Sequence, residues 1–251
     1  FLFYEDLQLV SYKAGGFAQT GKLAVIIESI QSNKWVAKIR GMIIILKPKK
    51  LKQGDTVALV SLSSGMAGEA LFSHKVAIGK ARLEKEFALN VVIMPNAMKG
   101  IGYLDQNPQA RASDLMMAFG APKIKAIITM IGGDDTIRLL PYTNFDTIKN
   151  NPKIFMGYSD TTINHFMMYK AGLVSFYGPC LLAEFAENVA MHEYTKDHIK
   201  RVLFENNDSL DILPSREWTS EFLDWANPAN DRIPRKMKED DKGYELLQGT
   251  G

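Results

Sequence analysis

A single cysteine, few histidines and no long apolar run set the first limits on this chain. One cysteine, Cys180, excludes an internal disulfide and any metal site built from cysteines, and its default place is buried and inert. The histidines, His74, His165, His192 and His198, lack the close spacing of a helical metal-ligand pair. No apolar stretch reaches the roughly 20 residues that span a membrane. The opening residues Phe1-Leu2-Phe3-Tyr4-Glu5-Asp6 put acids where a signal peptide puts basic side chains. The expectation is a soluble, cytoplasmic protein. An excess of one charge is missing too: 30 basic against 28 acidic residues leave a net charge of +2, no footprint for nucleic acid or an anionic membrane. The basic cluster Lys47-Pro48-Lys49-Lys50 borders a strand signal and reads as a solvated edge.

What is present is ordinary for a globular fold: 251 residues, 46% hydrophobic and 23% charged, enough for one large domain or two smaller ones. Residues 1–41 read as an anomalous leader, with possible strands at 1–4 and 23–27, before Met42 opens a new apolar run. From Lys52 onward, strand signals alternate with helical spacing. Residues 55–62, 90–94, 125–131 and 153–156 read as strands, and 69–87, 107–119, 136–142 and 163–170 as helices. The nearly unbroken apolar run at 125–131 predicts a central parallel strand covered on both faces. The expected fold class is a doubly wound α/β domain with a mostly parallel sheet over 42–211. Residues 192–211 read as an amphipathic helix, and 212–251 as a loop-rich connector toward a second domain.

In an open parallel sheet, ligands bind beyond the carboxyl ends of the strands, and two turns fall there. In Gly132-Gly133-Asp134-Asp135, paired glycines allow close approach of backbone N–H groups to an oxyanion; alternatively Asp134 or Asp135 caps the next helix. In Gly157-Tyr158-Ser159-Asp160-Thr161-Thr162, a serine on a sharp strand-to-helix turn has the arrangement of a nucleophile elbow, with the Asp160 N–H beside it. Thr161 breaks the usual Gly-x-Ser-x-Gly pattern, and a simple helix cap is the competing reading. A serine hydroxyl needs a base, and His165 sits in the same expected helix, poorly placed to reach back. It reads as a packing or surface residue.

Taken in order, residues 131–142, 151–162 and Phe176-Tyr177-Gly178-Pro179 resemble the LD-carboxypeptidase family of serine peptidases, nearest the branch of microcin C resistance peptidases. Lys52, Gly54-Asp55-Thr56, Ser61 and Ser63-Ser64 resemble its opening strand and loop. Trp218, Glu221, Trp225 and residues 243–249 resemble its connector. The likeness runs over about 42–251. It implies a Ser-Glu-His triad with Ser159 as nucleophile, and an oxyanion hole from the N–H groups of Gly132, Gly133 and Asp160. It implies an acyl-serine intermediate, no metal or organic cofactor, and a homodimer. The substrate it implies is a small peptide: a muropeptide cut before a D-residue in peptidoglycan recycling, or a peptidyl-nucleotide.

The same resemblance places the triad Glu and His in a carboxy-terminal domain expected beyond Gly251, so neither is carried onto 42–251. The segment Phe1 to Asp6 resembles the strand that holds the family Glu, which would make Glu5 the acid of a rearranged chain. No family-like His follows in 7–41, and a chance apolar strand is the competing reading. Two other functions stay open: a domain that binds peptide or muropeptide without turnover, and a flavodoxin-like nucleotide binder resting only on Ser63-Ser64-Gly65.

Overall fold

The computed structural model describes residues 45–206 and 210–239, together with two short strands nearer the amino terminus. The chain forms two compact units, residues 1–44 and 45–251. In the first, Ile30–Gln31 and Lys34–Trp35 pair antiparallel, with Ile30 opposite Trp35. The strands expected at 1–4 and 23–27, and Glu5, lie outside the described residues.

The second unit is built on a five-stranded sheet: β1 Thr56–Val60, β2 Asn90–Ile93, β3 Ile124–Thr129, β4 Ile154–Gly157 and β5 Phe176–Tyr177. Every pairing is parallel and the order is β2-β1-β3-β4-β5. The connections are made by α1 Ser73–Lys85, α2 Ile101–Gln106, α3 Pro108–Gly120, α4 Phe145–Asn150 and α5 Thr162–Lys170, with α6 Glu193–Leu203 following β5. Helices α3, α4 and α5 pack in succession, while α1 packs on a π-helical turn at Leu181–Phe185. This is the expected α/β class. The physical cause is visible in β1 and β3: Val57 to Val60 and Ala126 to Ile128 are at most 1% exposed, since helices cover both faces of a central parallel strand.

Three local features depart from the sequence reading. Residues 136–142 wind as a 3-10 helix, with Pro141 inside and unable to donate an N–H. The helix expected at 192–211 ends at Leu203: the Leu203 carbonyl accepts the Leu51 N–H at 2.8 Å and Phe204 turns to stack on Phe87. Lys153, at the start of a buried strand, is 6% exposed because its ammonium group caps α3, donating to the carbonyls of Ala118 (3.0 Å) and Ala121. Burial lowers its pKa to about 8.

Residues 212–239 hold the two-residue strands β6 Glu217–Trp218 and β7 Lys238–Glu239, paired antiparallel, and a 3-10 helix at Pro228–Arg232. They are strapped to the domain by polar contacts. The Asp231 carboxylate meets the His74 ring and, at 2.9 Å, the buried Lys75 ammonium; the other His74 nitrogen meets the Trp225 carbonyl at 3.0 Å. Arg235 pairs with Glu187. Among the described residues no helix is long and apolar enough to cross a membrane.

Candidate active site

Three loops meet at the carboxyl edge of the sheet, after β1, β3 and β4. In the order β2-β1-β3-β4-β5 the strand order reverses between β1 and β3, the switch point at which such sheets bind ligands. Ser159 stands at this edge, exposed, with φ of +62°. A left-handed conformation costs an L-residue with a Cβ about 1–2 kcal/mol, so neighbours must hold it. Gly157 makes the sharp turn possible: a Cβ there would lie 2.2 Å from Thr129 Oγ1 and 2.9 Å from Thr161 Cγ2. Beyond the serine, its carbonyl accepts the Thr162 hydroxyl at 2.6 Å and the Tyr158 carbonyl accepts the Thr161 N–H at 3.2 Å. No side chain caps the 3-10 turn Ser159–Thr161 or α5. The side-chain cap that is the competing reading of this turn is not formed.

The Gly132-Gly133 turn lies directly against this elbow. A Cβ on Gly132 would sit 2.9 Å from Ser159 Cβ and 3.1 Å from its Oγ; one on Gly133 would sit 2.2 Å from Ser63 Oγ. Both glycines are thus required by close approach. The capping reading fails here as well, because Asp135 precedes the 3-10 helix without a side-chain cap. Its carboxylate faces Arg111 instead.

A polar network ties the three loops together. The Ser63 hydroxyl donates to Asp160 Oδ2 at 2.6 Å and accepts the Asp134 N–H at 3.1 Å; Asp160 Oδ2 also accepts the Thr136 N–H at 2.8 Å. Arg111, fully buried, grips Asp135 through both terminal nitrogens at 2.7 and 2.9 Å and reaches the carbonyls of Leu62 and Ser63. The guanidinium holds the Asp135 carboxyl below the usual carboxylate range. From the sequence, Asp160 offers its backbone N–H to an oxyanion or its side chain as a helix cap. Its side chain is the clamp between loops, and Arg111 went unnoticed because one arginine within a helix carries no signal of burial.

The residues around the elbow are accounted for by geometry. His165 Nε2–H donates to the Gly157 carbonyl at 2.9 Å and Nδ1 accepts the Ser175 hydroxyl at 2.8 Å. Burial lowers its pKa, so the neutral ring is a packing element beneath the turn. Tyr177 accepts the Ser159 N–H on its phenol oxygen at 3.1 Å. Cys180 is 1% exposed and its thiol is pushed up to about 12 by burial, an unreactive position. Burial likewise raises the Tyr158 phenol, with Cys180 and Glu184 adding to the effect. Two cavities lie nearby, about 630 and 360 Å³, and Tyr158 and Glu184 line both. Among the described residues no cluster of three acidic, histidine or cysteine side chains could hold a metal ion.

Against this geometry, residues 57–178 match the family described as LD-carboxypeptidase N-terminal domain. The chain carries an LD-carboxypeptidase amino-terminal domain. This is a family of serine peptidases and includes the microcin self-immunity proteins. YocD of Bacillus subtilis, whose name places it among carboxypeptidases, is 32% identical over 181 residues, covering 71% of this chain and 54% of its own. The Microcin C7 self-immunity protein MccF of Escherichia coli is 37% identical over 107 residues, covering 41% of this chain and 31% of its own. The crystal structure of an MccF-like protein from Streptococcus pneumoniae in complex with AMP superposes with a TM-score of 0.68 at 38% identity, covering 75% of this chain and 55% of that one. The chain spans about half the length of YocD and of the Streptococcus pneumoniae protein.

Proposed function

We propose that this LD-carboxypeptidase domain supplies the nucleophile for hydrolysis of an amide bond in a small peptide. The observation that carries the reading is Ser159: exposed, held at φ +62° on a strand-to-helix turn, and packed against Gly132, where a Cβ would lie 2.9 Å from its own. In this reading Ser159 Oγ attacks the carbonyl carbon, and the developing oxyanion is met by the N–H groups of Gly132, Gly133 and Asp160. The amine leaves with a proton, and water then releases the acyl group from the serine. A base must take the Ser159 hydroxyl proton and deliver it to the leaving amine. The family's answer is a Glu and His pair, and Glu5 lies outside the described residues. The substrate class is a muropeptide or a peptidyl-nucleotide. The second is favoured by the nucleotide bound to the related Streptococcus pneumoniae protein. A homodimer in the cytoplasm completes the reading.

One observation favours a second function, binding without turnover. His165, the histidine beside the elbow, has both ring nitrogens engaged elsewhere, with Ser175 and with the Gly157 carbonyl, so its imidazole is not placed to take the serine proton. Without its base, a serine nucleophile retains only the part of catalysis that oxyanion and substrate binding provide. The two readings separate when this chain and its Ser159→Ala variant are incubated with an L,D-tetrapeptide and with a peptidyl-adenylate analogue. Turnover lost in the variant supports the peptidase. Retained affinity with no turnover in either supports the binding domain.

A further inference from the structure

The strained serine needs an explanation beyond the glycines, because glycine packing permits a left-handed residue without enforcing one. Such a conformation persists only where the surroundings over-determine it. Around Ser159 the hydrogen bonds fall into two sets. On the strand side, the Gly157 carbonyl accepts both the Gly178 N–H at 3.1 Å and His165 Nε2–H at 2.9 Å, which fixes the peptide before Tyr158. On the helix side, the Ser159 carbonyl accepts the Thr162 hydroxyl at 2.6 Å. Between them lies the Ser159 N–H, and its partner is the phenol oxygen of Tyr177 at 3.1 Å.

Tyr177 is 65% exposed, yet its ring is not free to swing. Its backbone is in register with Gly157 on β4, and its ring leans on His165 at 5.5 Å and faces Tyr158 at 6.4 Å. The ring it leans on is the same imidazole that holds the Gly157 carbonyl. One edge strand and one helix therefore bring two touching side chains to the two backbone groups that flank the turn.

We propose that Tyr177 is a positioning residue for the Ser159 nucleophile. By accepting the Ser159 N–H it locks the left-handed turn, and it withdraws that N–H from the oxyanion. Donation is then left to the Asp160 N–H and the glycine turn. This inference rests on the reading of Ser159 as nucleophile. It assigns the phenol oxygen a role that ring packing alone cannot fill.

The test uses the whole chain and the Tyr177→Phe variant, which keeps the ring and removes only the acceptor. Amide hydrogen exchange of Ser159 is expected to quicken by about tenfold, with the melting temperature held within about 2 °C. Phosphonylation by an alkyl fluorophosphonate is expected to show a maximal rate about tenfold lower, with the probe's half-saturation concentration unchanged. Unchanged exchange at Ser159 overturns the proposal, and so does faster exchange with an unchanged phosphonylation rate. If the unsubstituted chain takes no label, the nucleophile reading is what fails, and exchange alone then decides whether Tyr177 holds the turn.

Discussion

At the carboxyl edge of the sheet, loops and short 3-10 turns lie against a fully buried guanidinium; residues 212–239, also built of short elements and loops, lie on α1 and contain no buried residue at all among those described. In the first region Arg111, Ser63 and Asp160 join three loops beside central strands that are buried over Val57 to Val60 and Ala126 to Ile128. In the second, Phe222, Ile212 and Leu213 are more than 70% exposed, and attachment comes from Asp231 and Arg235. The difference teaches where each region's stability comes from. The site loops share the fate of the core, whereas 212–239 can come away from α1 and leave the core folded.

The sharpest way to break that comparison is Arg111→Met. It removes the charge that pairs with Asp135 and the donors to Leu62 and Ser63, and should cost about 3–5 kcal/mol in chemical denaturation, lost in a single global transition. A smaller effect is expected from Asp231→Ala. Losing the contacts to His74 and Lys75 should cost about 1–2 kcal/mol and show as faster proteolysis within 212–239, with no change in amide protection of β1 and β3. Acid gives the smallest and most selective difference. Because Arg111 depresses the Asp135 carboxyl in the folded state, its contribution is complete above the unfolded carboxylate pKa and is lost as pH falls through the lower folded value. Melting curves between neutral pH and pH 2 should therefore fall more steeply for the unsubstituted chain than for Arg111→Met.

Much of this arrangement was legible in the residues. The runs at 55–62 and 125–131 announced β1 and β3, because a strand buried on both faces has no polar alternation to confuse it. The turns around Gly132 and Ser159 were legible as interruptions after such runs. Short elements were not: α2, α4 and the π-helical turn at Leu181–Phe185 have too few residues to show a period. The end of α6 was missed because 204–211 stays polar enough to extend a helical pattern, while the contact that stops it, Phe204 on Phe87, is long-range. For the same reason Arg111 escaped notice, and Ser63 and Tyr177 stood only as members of family motifs without a role in the site. Each owes its role to a partner at least 18 residues away.

The nucleophile itself is best tested by peptide mapping of the chain after rapid acid quench with its peptide substrate. An added acyl mass on the fragment containing Ser159, absent in Ser159→Ala, is the predicted result. An acyl group on any other residue, or hydrolysis that persists in Ser159→Ala, would contradict it.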